Sequence, residues 1–183
     1  MNSEISELKE NLFNDAISSA DYPDTLHQRH LFEQYKICVE MADRISQRRN
    51  LANTLLLTLN TGVMASLAAF AEKSELDAGG LAILLVALAG LIVSCLAWRT
   101  LIRSYRQLNT AKYKVIGALE SKLPASPYYS AEWAALGFGK NKALYTPLSA
   151  VESKLPTILA VAYLLIIVFV LFDQKGLIMS MFA

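Results

Sequence analysis

LANTLLLTLNTGVMASLAAFA, residues 51–71, carries no charged residue over 21 positions, and LAILLVALAGLIVSCLAW, residues 81–98, carries none over 18. About 20 apolar residues cross a hydrocarbon core of about 30 Å as a helix, so each stretch is long enough to span a bilayer. The linker between them, 72–79 (EKSELDAG), is short and acidic. A third uncharged run of 18, LPTILAVAYLLIIVFVLF, fills 155–172. The expected fold class is all-α integral membrane, with three transmembrane helices. The first two form a hairpin.

The hairpin reaches beyond the apolar runs. Leu31, Tyr35, Cys38, Ala42 and Ile45 follow a 4-3-4-3 spacing, the seam of a coiled coil. Neither Gly nor Pro interrupts the chain between that seam and Gly62. A second seam, Leu101, Tyr105, Leu108, Val115 and Leu119 with Lys112 in the gap, leaves the second span and should stop before Pro124. At 1.5 Å per residue the two helices would be roughly 70 Å and 65 Å long. The segments are therefore a hairpin over 25–123, an N-terminal amphipathic helix and turn over 1–24, an aqueous aromatic-rich segment over 124–154, the third span, and a short tail over 173–183. The N-terminal helix, expected over 3–20, places Ile5, Leu8, Leu12, Phe13, Ala16 and Ile17 on one face. It is acidic, whereas membrane-surface helices are usually basic, so a protein surface is its expected dock. Ser126 and Pro127 read as a helix start and Gly137 as its stop. Ser149 with Glu152 suggests a capping box.

Composition sets the class. Hydrophobic residues make up 54% of 183, concentrated in blocks, and the net charge is only +1. Its distribution matters more than its total. Residues 1–50 hold six Lys or Arg and 99–154 hold nine, whereas the first linker has Lys73 and the tail Lys175. The positive-inside rule then places the N-terminus in the cytoplasm and the C-terminus on the opposite side of the membrane. The N-terminus lacks a signal-peptide pattern, so the first span should act as its own insertion signal. Cys38 and Cys95 fall in different environments and are expected to be reduced and unpaired.

No enzyme signature occurs: no G-x-S-x-G, Walker A, H-E-x-x-H or Cys-x-x-Cys. The chain is expected not to be an enzyme and to need no cofactor or metal. Gly137-Phe138-Gly139-Lys140 reads as a turn, and His27 with His30 supplies two ligands where a metal needs three or four. Asn53, Thr54, Asn60 and Thr61 put polar groups in the first span, with Thr58 extending the arc. Such groups turn toward other helices or toward a wet cavity, so interhelical bonding and a pore wall both fit. Ala87, Gly90, Ser94 and Ala97 form a small-residue stripe on the second span. Arg44, Arg48 and Arg49, and then Arg99, Arg103 and Arg106, are basic cuffs suited to lipid headgroups. Nucleic acid is not an expected partner. Tyr128, Tyr129, Trp133 and Phe138 need a covering surface, either a cytoplasmic partner or a second subunit.

Two segments, LFEQYKICVEMADRISQRRNLANTLLLTLNT and WRTLIRSYRQLNTAKYKVIGALESKLPASPYYSAEW, resemble the RipA family of octameric membrane proteins, small proteins of the bacterial inner membrane. The likeness covers roughly 30–172 and rests on whole segments, not on a catalytic motif. It implies a homo-oligomeric ring, an octamer. The topology is more loosely similar to SLATT-type membrane effectors of antiviral systems. Exposed seams, stripes and aromatics argue independently for repetition of the subunit around an axis. The expected function is a pore or gated channel, as a membrane effector in antiviral defence. The alternative is a non-conducting scaffold that organises lipid or a cytoplasmic partner.

Overall fold

The computed structural model describes residues 2–14, 17, 19–23, 25–73 and 77–181, with the backbone alone at 2–5, 19, 73, 149 and 173–181. The expectations for Ile5, Ala16, Lys73, the Ser149 capping box, Lys175 and most of the first linker fall outside the residues or side chains so described. Every regular element among the described residues is helical. The α-helices are α1 (Asn2–Leu12), α2 (Leu26–Lys73), α3 (Ala78–Glu120), α4 (Trp133–Ala135), α5 (Leu148–Glu152) and α6 (Lys154–Met181), with short 3-10 turns at Ser19–Asp21 and Gly137–Gly139 and a π-type stretch at Pro127–Glu132. Two compact units result, one of residues 1–49 and 105–147, the other of 50–104 and 148–183.

In the unit of 50–104 and 148–183, α3 contributes Leu84, Leu88, Leu91, Cys95, Trp98 and Ile102, all buried. Their 4-3-4-3-4 spacing is a heptad seam. Tyr163 and Pro156 bring α6 against it, and Met64 and Leu67 bring α2. Asp77 caps α3 by accepting the Gly80 N–H at 2.7 Å, an N-terminal signal that the acidic linker conceals. The helices α2, α3 and α6 are each long and apolar enough to cross a membrane. Gly90 has open space around it and Ala97 is exposed, so this part of the small-residue stripe is not consumed by packing within the protomer. The last helix runs on to Met181 and does not stop at 172. Asp173, Gln174 and Lys175 are tolerated by a helix backbone that Gly176 does not break.

In the unit of 1–49 and 105–147, the first seam is buried at Leu31, Ala42 and Ile45. The second seam keeps Tyr105, Lys112, Val115 and Leu119 inward as expected, but Asn109 takes the place of Leu108 and Ile116 joins it. Ile116 and Leu119 are buried and Tyr105, Asn109 and Lys112 half-buried, while Leu108 is exposed. A polar Asn109 disguised the inward face, because leucine spacing alone marks the neighbouring stripe. α1 ends at Leu12, short of the expected 20, and Phe13 closes its last turn on the Lys9 carbonyl. Phe13 then lies under the Lys122 ammonium, 5.4 Å from the ring centre. α1 borders a groove with Lys114 and Val115 of α3.

Candidate functional site

The end of α3 carries an enclosed carboxylate. Ile116, Gly117, Ala118, Leu119 and Glu120 are all buried, and Glu120 is 1% exposed. Four donors converge on it. The Tyr35 hydroxyl donates to Oε1 at 3.2 Å and the Ser126 hydroxyl to Oε2 at 2.7 Å. The backbone N–H of Tyr128 donates to Oε1 at 3.1 Å and that of Tyr129 to Oε2 at 2.9 Å.

The local sequence explains this clasp. After Glu120 the chain turns tightly, with Lys122 and Leu123 donating back to Leu119 and Glu120. Pro124 and Pro127 then force a new start, and residues Pro127–Glu132 wind as wide, π-type turns. The first N–H groups of any helical segment lack intrahelical partners and favour negative charge. Ser126 occupies the capping position but its hydroxyl does not cap; it turns to Glu120, which does the capping. Gly117 makes room, since a Cβ there would overlap the Tyr129 ring.

Tyr35 lies on α2 well before the apolar run 51–71. Loss of water around it, then the negative charge and hydrogen bond of Glu120, push its hydroxyl up from 10.0 to about 12, with a smaller contribution from Tyr128. A raised tyrosine favours the folded state only while it is neutral. Its contribution is therefore complete below pH 10 and lost as the pH rises through 10 toward 12. Tyrosinate absorbance should show a late-titrating component that is absent from Tyr35→Phe. A Tyr35→Phe difference spectrum titrating at the ordinary value would remove the Glu120 contact from the account.

The polar residues of the first span divide into two groups. Asn53 and Asn60 face α3. The Trp98 indole N–H donates to Asn53 Oδ1 at 2.8 Å. The Asn60 amide donates to the Leu56 carbonyl at 2.8 Å and to Ser94 Oγ at 3.1 Å, and its Oδ1 accepts the Cys95 thiol at 3.4 Å. Asn60 is 0% exposed. Thr54 and Thr61 face outward and donate to carbonyls of their own helix, Asn50 at 3.0 Å and Leu57 at 2.9 Å. Thr58, Ala65 and Ala68 share that exposed face.

In the basic cuffs, Arg44 pairs with Glu40 at 2.7 Å, both exposed; Arg48, Arg99, Arg103 and Arg106 are exposed and Arg49 half-buried. Among the predicted aromatics, Tyr129 lies over Gly117. Trp133 packs edge-on to Tyr145, ring centres 6.5 Å apart, and approaches Gly139. Phe138 is 57% exposed and sits at φ 55° between Gly137 at 62° and Gly139 at 68°. Three successive left-handed residues make the Gly-Phe-Gly run a tight turn, and its phenylalanine is held in a strained backbone region. Tyr22 stands edge-on to both His27 and His30, at 5.3 and 5.6 Å.

Three apolar helices long enough to span a bilayer and the buried Glu120 junction stand beside a family match. The family model of the octameric membrane protein family matches residues 32–172. The chain belongs to the octameric membrane protein family. The match agrees with the RipA-type resemblance and gives no support to the looser SLATT likeness. No curated protein and no solved structure compared with the chain matches it. Membership and the three candidate spans make this a membrane protein.

Sequence reading missed Glu120 and its donors. The signal was present: one acid ends the apolar run Ile116–Gly117–Ala118–Leu119, and a Ser-Pro helix start follows within one turn of the chain. Only the reversal at Pro124 brings the two together. The Asn53–Trp98 bond was hidden for a different reason. Trp98 reads as an interfacial anchor by position, yet it is 2% exposed.

Proposed function

We propose that eight copies of this chain close into a ring in a bacterial inner membrane, N-terminus cytoplasmic and C-terminus periplasmic, and that the ring is a pore or gated channel. The exposed Thr54, Thr58 and Thr61 face of α2 carries the reading. Three faces run along this helix. Asn53, Leu57, Asn60, Met64 and Leu67 turn inward. Leu51, Leu55 and Leu59 form an apolar outward face suited to lipid. The threonine face is also outward, roughly 100–120° from each of the others by helix geometry. A protomer against lipid alone needs one apolar outward face. A second, hydroxylated and then small (Ala65, Ala68), suits the axis of a ring, where water meets hydroxyls and helices approach closely.

The test is planar-bilayer recording on the purified assembly. The wild type should conduct, and Thr58→Leu with Thr61→Leu should lower conductance about tenfold or more by narrowing and drying the lumen, at unchanged assembly mass. Unaltered conductance in that double variant would end the assignment of this face. The reading is non-enzymatic and needs no cofactor, and an antiviral setting adds nothing to it.

One observation favours the scaffold instead. Asn53 and Asn60 spend their amides inside the hairpin, whereas Trp133 and Phe138 stay exposed outside the spans. A silent bilayer record from an intact octamer would select that reading, with the aromatic segment receiving a cytoplasmic partner.

A further inference from the structure

A groove of about 190 Å³ lies between α3 and α6 at the basic end of the spans. Its floor is Cys95 and Pro156, both buried, its walls include Ile92, Ala160 and Leu164, and Arg99 closes one end. The small Ala160 side chain on the α6 wall leaves space that a larger residue would fill. Its lining is apolar apart from Arg99 and Thr157, whose hydroxyl donates to the Ser153 carbonyl at 3.1 Å, and Leu164 on its wall is 53% exposed. Arg99 has no hydrogen-bond or ion-pair partner among the described residues, unlike Arg44, which is paired with Glu40.

The geometry points to a binding site for one anionic glycerophospholipid, an acyl chain in the groove and the phosphate on Arg99. Each half of the ligand meets its match. A hydrocarbon chain replaces exposed apolar wall, and basic pockets at the ends of transmembrane helices receive anionic headgroups. Arg99 directly follows the apolar run 81–98, the depth at which phosphates lie. Arg99 and the nearby Arg103 make this part of α3 cationic with no acid on the same helix before Glu120, which suits an anion as the occupant. The guanidinium also has the planar donor fork that suits a phosphate. This site does not depend on conduction; a scaffold would hold lipid equally well.

Native mass spectrometry of the full-length assembly tests it, titrated with phosphatidylglycerol or with phosphatidylcholine of identical chains. The wild type should retain phosphatidylglycerol about fivefold more tightly, the worth of one basic residue at a membrane surface. Arg99→Gln should abolish that preference while phosphatidylcholine retention stays. Ala160→Phe, which fills the groove, should weaken both lipids. Arg103→Gln, in the same cuff but outside the groove, should leave the preference intact. Equal retention of the two lipids by the wild type overturns the site, as does loss of the preference in Arg103→Gln to the same degree as in Arg99→Gln. If Ala160→Phe splits the assembly into smaller masses, a neighbouring copy fills the groove and the lipid assignment falls. The mass itself reports the octamer separately from the lipid.

Discussion

Glu120→Ala should free the segment 127–132 from the end of α3 and cost the unit of 1–49 and 105–147 about 1–3 kcal/mol, the range for leaving buried donors without their acceptor. The alanine leaves the N–H groups of Tyr128 and Tyr129 and the hydroxyls of Tyr35 and Ser126 without their acceptor. Glu120 is 1% exposed, so its place is shut away from water that could serve as a substitute acceptor. Hydrogen exchange reads this directly: the amides at 128 and 129 should lose protection, while the buried seam Leu84–Leu88–Leu91 in the other unit keeps its own. Glu120→Gln should fall between, because one oxygen still accepts while the amide nitrogen turns a donor toward donors. Exchange at 128 and 129 that is the same in Glu120→Ala as in the wild type would show that the clasp holds nothing.

The second large effect has a sign opposite to that expected from helix propensity. Gly117 lies inside α3, where glycine to alanine ordinarily stabilises by about 1 kcal/mol. Here the new methyl would overlap the Tyr129 ring, and overpacking of this kind costs about 1–3 kcal/mol. Gly117→Ala should therefore destabilise. The cause is isolated by repeating the substitution in a Tyr129→Ala background, where the methyl has space and the ordinary helix gain should return. Denaturant unfolding followed by Trp133 fluorescence measures both. A Gly117→Ala change that has the same sign in both backgrounds would place the conflict somewhere other than this ring.

The two effects share a cause. The chain reverses after Glu120 so that a carboxylate and a glycine, one position of which faces a ring and the other a helix start, meet residues 8–12 positions further on. The unit holds its shape through this junction, and the exposed Trp133 and Phe138 are presented beyond it. The clasp thus connects the seam of α2, through Tyr35, with the aromatic segment that either the scaffold reading or a channel's cytoplasmic mouth would use.

The sequence by itself determined the class, the number of spans and the two long hairpin helices. Their signals are additive along the chain: an uncharged run of sufficient length inserts whatever surrounds it, and an unbroken stretch without Gly or Pro stays helical. The first seam was legible for the same reason, since Leu31, Ala42 and Ile45 mark their face by spacing alone. Tertiary structure decided what spacing cannot rank. The α3 seam takes Asn109 inward where the neighbouring Leu108 is exposed. Asn53 and Asn60 turned to Trp98, Ser94 and Cys95 while Thr54 and Thr61 turned away, although all four looked alike as polar residues in lipid. Glu120 became a cap for a segment that begins at Pro127, beyond the reversal of the chain. In each case the deciding term is the satisfaction of a polar group shut away from water, and its partner is fixed by how helices meet, not by the residues beside it.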